Sequence, residues 1–383
     1  MTVWDDLVGQ RPVIEALSRA AGGDGMTHAW LFTGPPGSGR SNAAVAFAAA
    51  LQCETGTGCG TCKSCRTVLA SSHADVRIIR TEKLSIGVDE VRDLVRSSAL
   101  APSGDRWQIM IVEDSDRLTD QACNALLKAI EEPTARTVWL LCAPTTEDVL
   151  PTIRSRCRLV SLTTPTAVDV AAFLVRSVGV GEELAAHAAR ASQGHIGRAR
   201  ALARDEETRR RRREVVSLPA RLTTLGSCMT AATNVVEVSK VEAEVQTADL
   251  DAREKADLDS AYGVEARGRR PREYAPALNA LEKGQKTRAK RRVLDVVDRA
   301  LMDLVSVYRD AIAVSVGAPG DLVNEELRAD VAQIARVVTP EELLRMIDAI
   351  FTARTQMLEF NVQPQLALES MMVALKLPTG AGR

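Results

Sequence analysis

The chain has 383 residues, of which 45% are hydrophobic and 26% are charged, and its formal net charge is −1. This balance is typical of globular proteins and excludes a disordered, fibrous or strongly basic chain, so no general attraction to nucleic acid is expected, although local basic patches stay open. At about 100 to 200 residues per domain, the length indicates two to three domains.

A phosphate-binding loop stands close to the N-terminus. Residues 34–41 read GPPGSGRS and match the P-loop pattern G-x-x-x-x-G-K-[ST] except at one position, where Arg40 replaces the lysine. The residues that cradle phosphates and hold Mg²⁺ in such a loop are all present: Gly34, Gly37, Gly39 and Ser41. The apolar run 29–32 predicts the buried strand before the loop, and residues 42–51 predict the helix after it.

Arg40 changes the expected chemistry of this loop. The planar guanidinium of arginine is larger than the compact ammonium of lysine and presents its charge differently to phosphate. We therefore expect ATP or ADP with Mg²⁺ to bind weakly, or to bind without hydrolysis.

Four of the eight cysteines lie together after the predicted helix. We expect a cytoplasmic protein with no membrane partner, because no apolar stretch approaches about 18 residues and the N-terminus lacks a signal-peptide pattern. Disulfides are rare in that compartment. Two overlapping C-x-x-C steps plus a fourth thiol instead suit a structural Zn²⁺, with a redox pair or an iron–sulfur cluster as alternatives. The predicted ligands are Cys53, Cys59, Cys62 and Cys65.

Strand and helix patterns alternate from there to residue 162. Short apolar runs predict strands at 76–79, 108–112, 138–141 and 158–162. Amphipathic patterns predict helices at 88–100 and from a cap at Thr119 and Asp120 to Glu132, before Pro133. Such alternation indicates an α/β fold with a parallel sheet that is buried on both faces.

Acidic residues follow the strand at 108–112. In P-loop ATPases a carboxylate at the end of such a strand coordinates Mg²⁺, and a following glutamate positions the attacking water. Here the order is inverted, with Glu113 before Asp114. The inversion and Arg40 both favour a site without turnover. The alternative is an acidic strand end that only faces water.

The rest of the chain has helical patterns. Residues 166–178 and 182–192 predict two short helices, and residues 209–213 form an unbroken arginine run that suits either DNA phosphates or a solvated helix end. Between about 236 and 292 an acidic half precedes a basic half, which favours a helical hairpin over a partly disordered insertion. From Val293 onward, apolar periodicity predicts an all-helical region.

Several of these segments together resemble the AAA+ clamp-loader subunits of bacteria. They are the loop with its preceding His28-Ala-Trp-Leu-Phe-Thr-Gly, the cysteine cluster, Asn124-Ala-Leu-Leu-Lys-Ala-Ile-Glu-Glu-Pro133, Ser155-Arg156-Cys157 and Asn361-Val-Gln-Pro-Gln-Leu-Ala-Leu-Glu369. The resemblance implies an AAA+ P-loop domain over 1–163 with a zinc knuckle at 53–65. A helical lid over 164–215 and a helical collar over 216–383, with a charged insertion at about 236–292, would follow.

The resemblance also implies roles for individual residues. Arg156 would be an arginine finger that acts on a neighbouring subunit, and the alternative is an arginine that caps a helix or pairs with a surface carboxylate. Arg198 would be the sensor-2 arginine, and Val8-Gly9-Gln10 would lie near the adenine pocket. The sensor-1 threonine falls near Ala143-Pro144, which has no hydroxyl, with Thr145 and Thr146 just beyond.

Within the family the altered loop resembles the delta-prime (stator) type more than the ATP-hydrolysing tau/gamma type. The implied partners are tau/gamma and delta subunits in a hetero-pentameric ring, the sliding clamp, and primed DNA. Two alternatives remain: an active ATPase of the tau/gamma type, and a non-catalytic DNA-binding scaffold. The near-zero net charge and the few aromatic residues disfavour the scaffold.

Overall fold

A computed structural model of the chain describes residues 2–81, 85–264 and 271–378. Its contacts divide the chain into two compact units, Met1–Asp205 and Glu206–Arg383. Each unit has its own hydrophobic core, and the two are described separately.

The first unit contains a five-stranded sheet and nine helices within the described residues. The strands are β1 Ala29–Thr33, β2 Val76–Ile79, β3 Gln108–Val112, β4 Thr137–Ala143 and β5 Arg158–Ser161. The helices are α1 Arg11–Ala21, α2 Arg40–Gln52, α3 Lys63–Leu69, α4 Val88–Ser98, α5 Asp120–Glu131, α6 Pro151–Arg154, α7 Ala167–Val178, α8 Glu182–Ser192 and α9 Ile196–Arg204.

All strand pairs of the sheet are parallel, and the strand order is β2-β3-β4-β1-β5. Successive side chains of a strand point to opposite faces, so Trp30 and Phe32 join one core while Leu31 joins the other. Helices cover both faces, as expected for a parallel sheet whose strands are continuous apolar runs. The α/β fold class predicted from the sequence is confirmed.

Helices α7, α8 and α9 form a small helical bundle at the end of the first unit. Its core consists largely of alanines together with Phe173 and Leu174, and Val8 from the N-terminal segment packs into it. Small side chains let the three helices approach closely. The two helices predicted at 166–178 and 182–192 correspond to α7 and α8, and α9 is a third helix that was not predicted.

The second unit is helical throughout its described residues. Its helices are α10 Glu206–Val216, α11 Leu225–Ala261, α12 Tyr274–Ser315, α13 Arg328–Val337, α14 Pro340–Leu358 and α15 Pro364–Ala374. One continuous apolar core joins α11 and α12 to the helices that follow. The domain limits 163/164 and 215/216 stay predictions, since α10 lies with the second unit.

The charged segment at 236–292 lies in two long antiparallel helices. Cross-helix pairs fix the register: Arg299 lies 2.9 Å from Glu242, Arg288 contacts Glu254, and Tyr274 donates to Asp259 at 2.5 Å. Both helices continue into the apolar core of the second unit, so the segment is the outer part of α11 and α12, and the predicted helical hairpin is present in the described residues. Three arginines of the predicted basic half, Arg267, Arg269 and Arg270, lie outside the described residues.

The arginine run forms part of α10 and pairs within the chain. Arg210 contacts Glu207 at 2.7 Å, and Arg211 contacts Glu242 at 3.3 Å. Arg212 is 5% exposed and contacts Asp303 at 3.2 Å and Glu326 at 3.0 Å. These contacts account for three of the five cations without a nucleic acid.

No helix in the described part of the chain has both the length and the apolar character needed to cross a membrane.

Candidate functional site

The phosphate-binding loop lies between β1 and α2, at the carboxyl edge of the sheet. Gly34, Gly37 and Gly39 have φ values of +154°, +84° and +94°, a region that side chains disfavour. Gly39 caps α2, so the free N–H groups of the first helical turn border the loop. The loop therefore has the glycine backbone conformation that the P-loop pattern predicts, and phosphate binding stays a prediction.

The loop is also too tight for larger residues. A Cβ on Gly34 would lie 2.7 Å from both the Leu162 carbonyl oxygen and Ser38 Oγ. The Ser38 hydroxyl is buried and has no hydrogen-bond partner among the described residues. A narrow cradle with a buried polar group that faces it fits a phosphate group.

Arg40 is the first residue of α2, and its side chain turns back across the loop. Its Nη1 donates to the carbonyl oxygen of Gly34, the first residue of the loop. Burial raises the pKa of the Asp116 carboxyl, and the nearby Arg40 charge opposes the rise. The Arg40 guanidinium therefore lies across the loop, bound to Gly34 at the start of the loop and near the acidic residues that follow β3.

The acidic strand end faces the loop through Glu113. Its side chain is 14% exposed, contacts Arg80 at 3.0 Å and lies close to the hydroxyl of Ser41. Burial, reinforced by the Asp114 charge, raises the pKa of Glu113, while Arg80 and Ser41 oppose the rise. Ser41 and Glu113 thus stand where the hydroxyl and the carboxylate of a Mg²⁺ site would be needed.

Asp114 lies one residue further on and has left-handed backbone angles, φ 55° and ψ 48°. A non-glycine residue adopts this conformation at a cost of about 1 kcal/mol or more. The sharp turn is closed by Ser115, whose hydroxyl donates to the Cys142 carbonyl oxygen at 2.7 Å. Glu113 therefore lies directly after β3, whereas Asp114 lies in the turn that follows.

His195 is a neighbour of the loop that the sequence did not reveal. A Cβ built on Gly37 would lie 2.6 Å from the His195 Cα, so the histidine closes one side of the loop. His195 caps α9, and its Nδ1 accepts the backbone N–H of Arg198 at 3.3 Å. One feature of the sequence could have indicated this contact. The segment Gly194-His-Ile-Gly-Arg198 was predicted to contain the sensor-2 arginine, which is expected near the nucleotide.

Gln10 connects the N-terminal segment to the end of the sheet. It is 2% exposed, donates to the Thr163 carbonyl oxygen at 2.6 Å and accepts the Thr163 N–H at 3.2 Å. Gly9, with φ +70°, packs against Pro165. The predicted Val8-Gly9-Gln10 segment therefore joins the sheet to the small helical bundle.

The threonines beyond β4 bond within their own turn. Thr145 donates to Asp148 at 2.8 Å, and Thr146 donates to Glu147 at 2.7 Å. Pro144 itself accepts from the Gly34 N–H at 3.0 Å through its carbonyl oxygen. The segment after β4 therefore contacts the phosphate loop through the Pro144 carbonyl oxygen. The hydroxyl groups of Thr145 and Thr146 bond to acidic side chains of their own turn instead.

Arg156 lies away from the loop, on the surface after α6. Its side chain is 39% exposed, contacts Glu131 at 2.7 Å and donates to the Thr152 carbonyl oxygen at 2.6 Å. Within this chain Arg156 therefore pairs with a surface carboxylate, which was the alternative to a finger. Its exposed guanidinium is nevertheless held in one place at the end of α5.

The four predicted zinc ligands come together at the other end of α2. The sulfur atoms of Cys53, Cys59, Cys62 and Cys65 all lie within 4.8 Å of one another. Tetrahedral Zn²⁺ with Zn–S bonds of about 2.3 Å would separate the sulfurs by about 3.8 Å, which requires only a small contraction. The thiols therefore fit a single metal ion.

The surrounding backbone favours thiolates in this cluster. The N–H groups of Cys59, Cys62 and Cys65 donate to Cys53, Cys59 and Cys62 respectively, each at 3.4 Å. Burial alone would raise the pKa of Cys53, but hydrogen bonds from Thr55 and Cys59 lower it to about 5. A hydrogen bond from Thr61 lowers the pKa of Cys59 to about 7, whereas burial raises that of Cys65. The donor set suits a thiolate-bound metal.

The N-terminal residues support the cysteine cluster. Val3 donates its N–H to the Gly58 carbonyl oxygen at 3.0 Å, and the Trp4 indole donates to the Thr57 carbonyl oxygen at 3.4 Å. A Cβ on Gly58 would lie 2.6 Å from Val3 Cγ2, so only glycine fits there. The cluster is thus packed into the first unit.

Two family models match the chain. The model described as "DNA polymerase III, delta subunit" matches residues 9–166, and the model described as "DNA polymerase III, delta subunit, C terminal" matches residues 295–376. Together the two matches cover more than half of the 383 residues.

Similar proteins include two types of DNA polymerase III subunit. Subunit delta' of Escherichia coli (strain K12) is 34% identical over 197 residues, which are 50% of this chain and 59% of that protein. Subunit gamma/tau of Mycobacterium tuberculosis (strain H37Rv) is 35% identical over 155 residues, which are 39% of this chain and 27% of that protein. This chain therefore spans between about a quarter and three fifths of these relatives.

A solved structure is similar over a longer stretch but at lower identity. The DNA polymerase III gamma subunit-related protein of Thermotoga maritima is 16% identical, with 95% of this chain and 98% of that chain covered and a TM-score of 0.44. That similarity is too low to support an argument. The family models and the ordered motifs carry the assignment: the chain belongs to the family of DNA polymerase III clamp-loader subunits.

Proposed function

We propose that this chain is a delta-prime (stator) subunit of a DNA polymerase III clamp loader, with tau/gamma and delta subunits as neighbours in a hetero-pentameric ring. In this role it helps to load the sliding clamp onto primed DNA. It binds ATP or ADP with Mg²⁺ weakly and does not hydrolyse it. It donates Arg156 to the ATP site of a neighbouring subunit. Cys53, Cys59, Cys62 and Cys65 hold a structural Zn²⁺.

The observation that carries this proposal is the position of Arg40. Its guanidinium replaces the ammonium that would reach the β and γ phosphates, and it is bound to the carbonyl oxygen of Gly34. A nucleotide has to compete with this internal hydrogen bond. The strained turn at Asp114, where the family pattern has glutamate, adds a second obstacle to hydrolysis.

Arg156 suits action on a neighbour because it is accessible and already oriented. Glu131 and the Thr152 carbonyl oxygen hold two of its nitrogens, and the side chain remains 39% exposed. An arginine that reaches a neighbour's γ-phosphate stabilises the charge of the transition state. The Arg156 side chain would therefore need little rearrangement to reach a neighbouring subunit.

One observation favours a second candidate, an active ATPase of the tau/gamma type. The Ser41 hydroxyl lies close to the Glu113 carboxylate, so both groups that would hold Mg²⁺ are present. Under this candidate Arg40 would release Gly34 and bind the phosphates itself.

Steady-state ATPase measurements separate the two candidates. We expect no turnover by the purified chain alone. In the reconstituted loader, Arg156→Ala should lower turnover by about 10³-fold, because the finger is lost. Arg154→Ala is the matched control, since Arg154 donates to the Thr146 carbonyl oxygen at 3.5 Å and its loss should leave the rate unchanged.

Turnover by the chain alone that Arg40→Ala abolishes would establish the motor instead. Unchanged turnover of the Arg156→Ala complex would remove the finger from the proposal.

A further inference from the structure

Helix α11 exposes an apolar face along the part that extends beyond the collar core. Val238, Val241 and Val245 are 40%, 55% and 69% exposed, although valine is usually buried. The exposed alanines Ala248 and Ala252 continue the series. The spacing of three and four residues places all five on one side of the helix. We call this set the valine face.

The valine face lies opposite the side of α11 that packs in the second unit. Val236, Ser239, Ala243 and Thr247 are buried and follow one another at the same helical spacing. Along this stretch the helix therefore has a buried row on one side and an exposed apolar row on the other. Covering the second row is not required by the fold of the second unit.

The residues that flank the valine face are acidic on both sides. In a heptad with Val238, Val245 and Ala252 at position a and Val241 and Ala248 at position d, the e and g positions are Glu237, Glu242, Glu244, Asp249 and Asp251. Charges at e and g determine which partner an apolar seam accepts.

Some of these carboxylates are already paired within the chain. Glu237 contacts Lys240, Glu242 contacts Arg299, and Asp251 contacts Arg288. Glu244 and Asp249, one on each side of the valine face, are exposed and have no ion pair among the described residues. At least one carboxylate on each side is therefore available to a cation from outside.

We infer that the valine face is a docking surface for an amphipathic helix of a partner protein, with a narrow apolar stripe flanked by lysine or arginine. The apolar stripe would cover the valines, and its flanking cations would meet Glu244 and Asp249. The face runs from Val238 to Ala252, 15 residues and about 21 Å, which suits a partner helix of at least two heptads.

The same charges disfavour two other occupants. A second copy of the chain, docked through its own valine face, would place carboxylates against carboxylates. Nucleic acid would place phosphates against them.

The test uses the full chain and two synthetic peptides. Both peptides have 21 residues with valine at position a and leucine at position d; one has lysine at e and g, and the other has glutamate. Fluorescence anisotropy at low and moderate salt measures binding. We expect the lysine peptide to bind and the glutamate peptide to bind at least about tenfold more weakly, with the difference reduced by salt.

Variants connect the binding to this face. Val241→Asp with Val245→Asp should abolish binding of the lysine peptide, whereas Val168→Asp, at a valine of α7 that is 79% exposed, should leave it unchanged. Glu244→Lys with Asp249→Lys should exchange the peptide preference. All substitutions are at exposed positions, and circular dichroism checks that each variant is folded.

Three results would overturn the inference. They are equal affinity for the two peptides, unchanged binding by the valine variant, and concentration-dependent self-association that the valine variant removes. Sedimentation velocity measures the last of these.

Discussion

Helix α2 has a candidate site at each end, and the two sites differ in how completely they match the pattern that predicts them. At its N-terminus the glycine backbone of the phosphate loop is intact, but the side chain that would contact the phosphates is Arg40. At its C-terminus the four thiols of the cysteine cluster are all present and within 4.8 Å of one another.

The comparison shows which kind of site can exchange a reactive side chain without a change in its backbone structure. A phosphate cradle is built from main-chain N–H groups, so one side-chain replacement changes reactivity and leaves the fold intact. A thiolate metal site consists only of side chains, so each of them is needed. The helix between them is almost entirely buried, and both ends are therefore part of one rigid element.

The largest effect is expected at the cysteine end. Cys65→Ser should abolish binding of one Zn²⁺ per chain and lower the free energy of unfolding of the first unit by on the order of 5 kcal/mol, because metal binding and folding are coupled. Elemental analysis by mass spectrometry and thermal denaturation measure the two. Cys157→Ser, outside the cluster, should keep its zinc. A wild-type chain purified without metal and unaffected by a chelator would contradict the zinc assignment.

A smaller effect is expected in the phosphate loop. Gly37→Ala should lower the free energy of unfolding by about 3 kcal/mol, since its Cβ would meet His195 and its φ of +84° is unfavourable for alanine. Gly39→Ala isolates the backbone strain, because φ is +94° and no atom lies within 4 Å of the new Cβ. Its expected cost is about 1 kcal/mol. Equal costs in urea denaturation would mean that His195 does not close the loop.

Arg40→Lys tests what the altered side chain does at this end. We expect the lysine variant to bind ATP about tenfold more tightly than the wild type. The lysine ammonium would not form the hydrogen bond to the Gly34 carbonyl oxygen and would reach the phosphates instead. Hydrolysis should stay absent as long as Asp114 holds the position of the base. Isothermal titration calorimetry measures the affinity, with Arg40→Ala as the control that lacks any cation. Unchanged affinity in the lysine variant would show that Arg40 is not the obstacle.

The smallest effect is a pH dependence of the metal-free chain. The pKa values of Cys53 and Cys59 are lowered from 9.0 to about 5 and about 7, so their thiolates stabilise the folded state. That contribution is complete above pH 9 and is lost as the pH falls toward 5. Denaturation of the chelator-treated chain should show lower stability at pH 5 than at pH 9, and Cys53→Ser should reduce the difference. A flat profile would contradict these pKa shifts.

The elements of the sheet could be predicted because each depends on a local pattern. The runs 76–79 and 108–112 predicted β2 and β3 to the residue, since apolar strands of a parallel sheet are bounded sharply by polar turns. Thr119 caps α5 as expected, and accepts from the Ala122 N–H at 3.3 Å. The cysteine spacing likewise predicted the cluster.

Other features depend on contacts between distant segments, which a sequence pattern does not contain. His195 and Gly37 are far apart in the chain, and the bond from Arg40 to Gly34 depends on a rotamer. The charged segment at 236–292 was predicted as a helical hairpin rather than a partly disordered insertion, and its described residues form two paired helices, but the register of the pairs was not predicted. Its alanine, glutamate, lysine and arginine residues are strong helix formers, so α11 and α12 extend from the apolar core of the second unit into this segment.

The unbroken course of α11 and α12 has a mechanical consequence. Each helix packs in the collar core along one part of its length and carries the charged segment along the other, over 37 and 42 residues respectively. At 1.5 Å per residue, α12 is about 63 Å long. Because a continuous helix resists bending, a force applied near Tyr262 and Tyr274 would be transmitted along both helices to Leu301 and Leu304 in the apolar core.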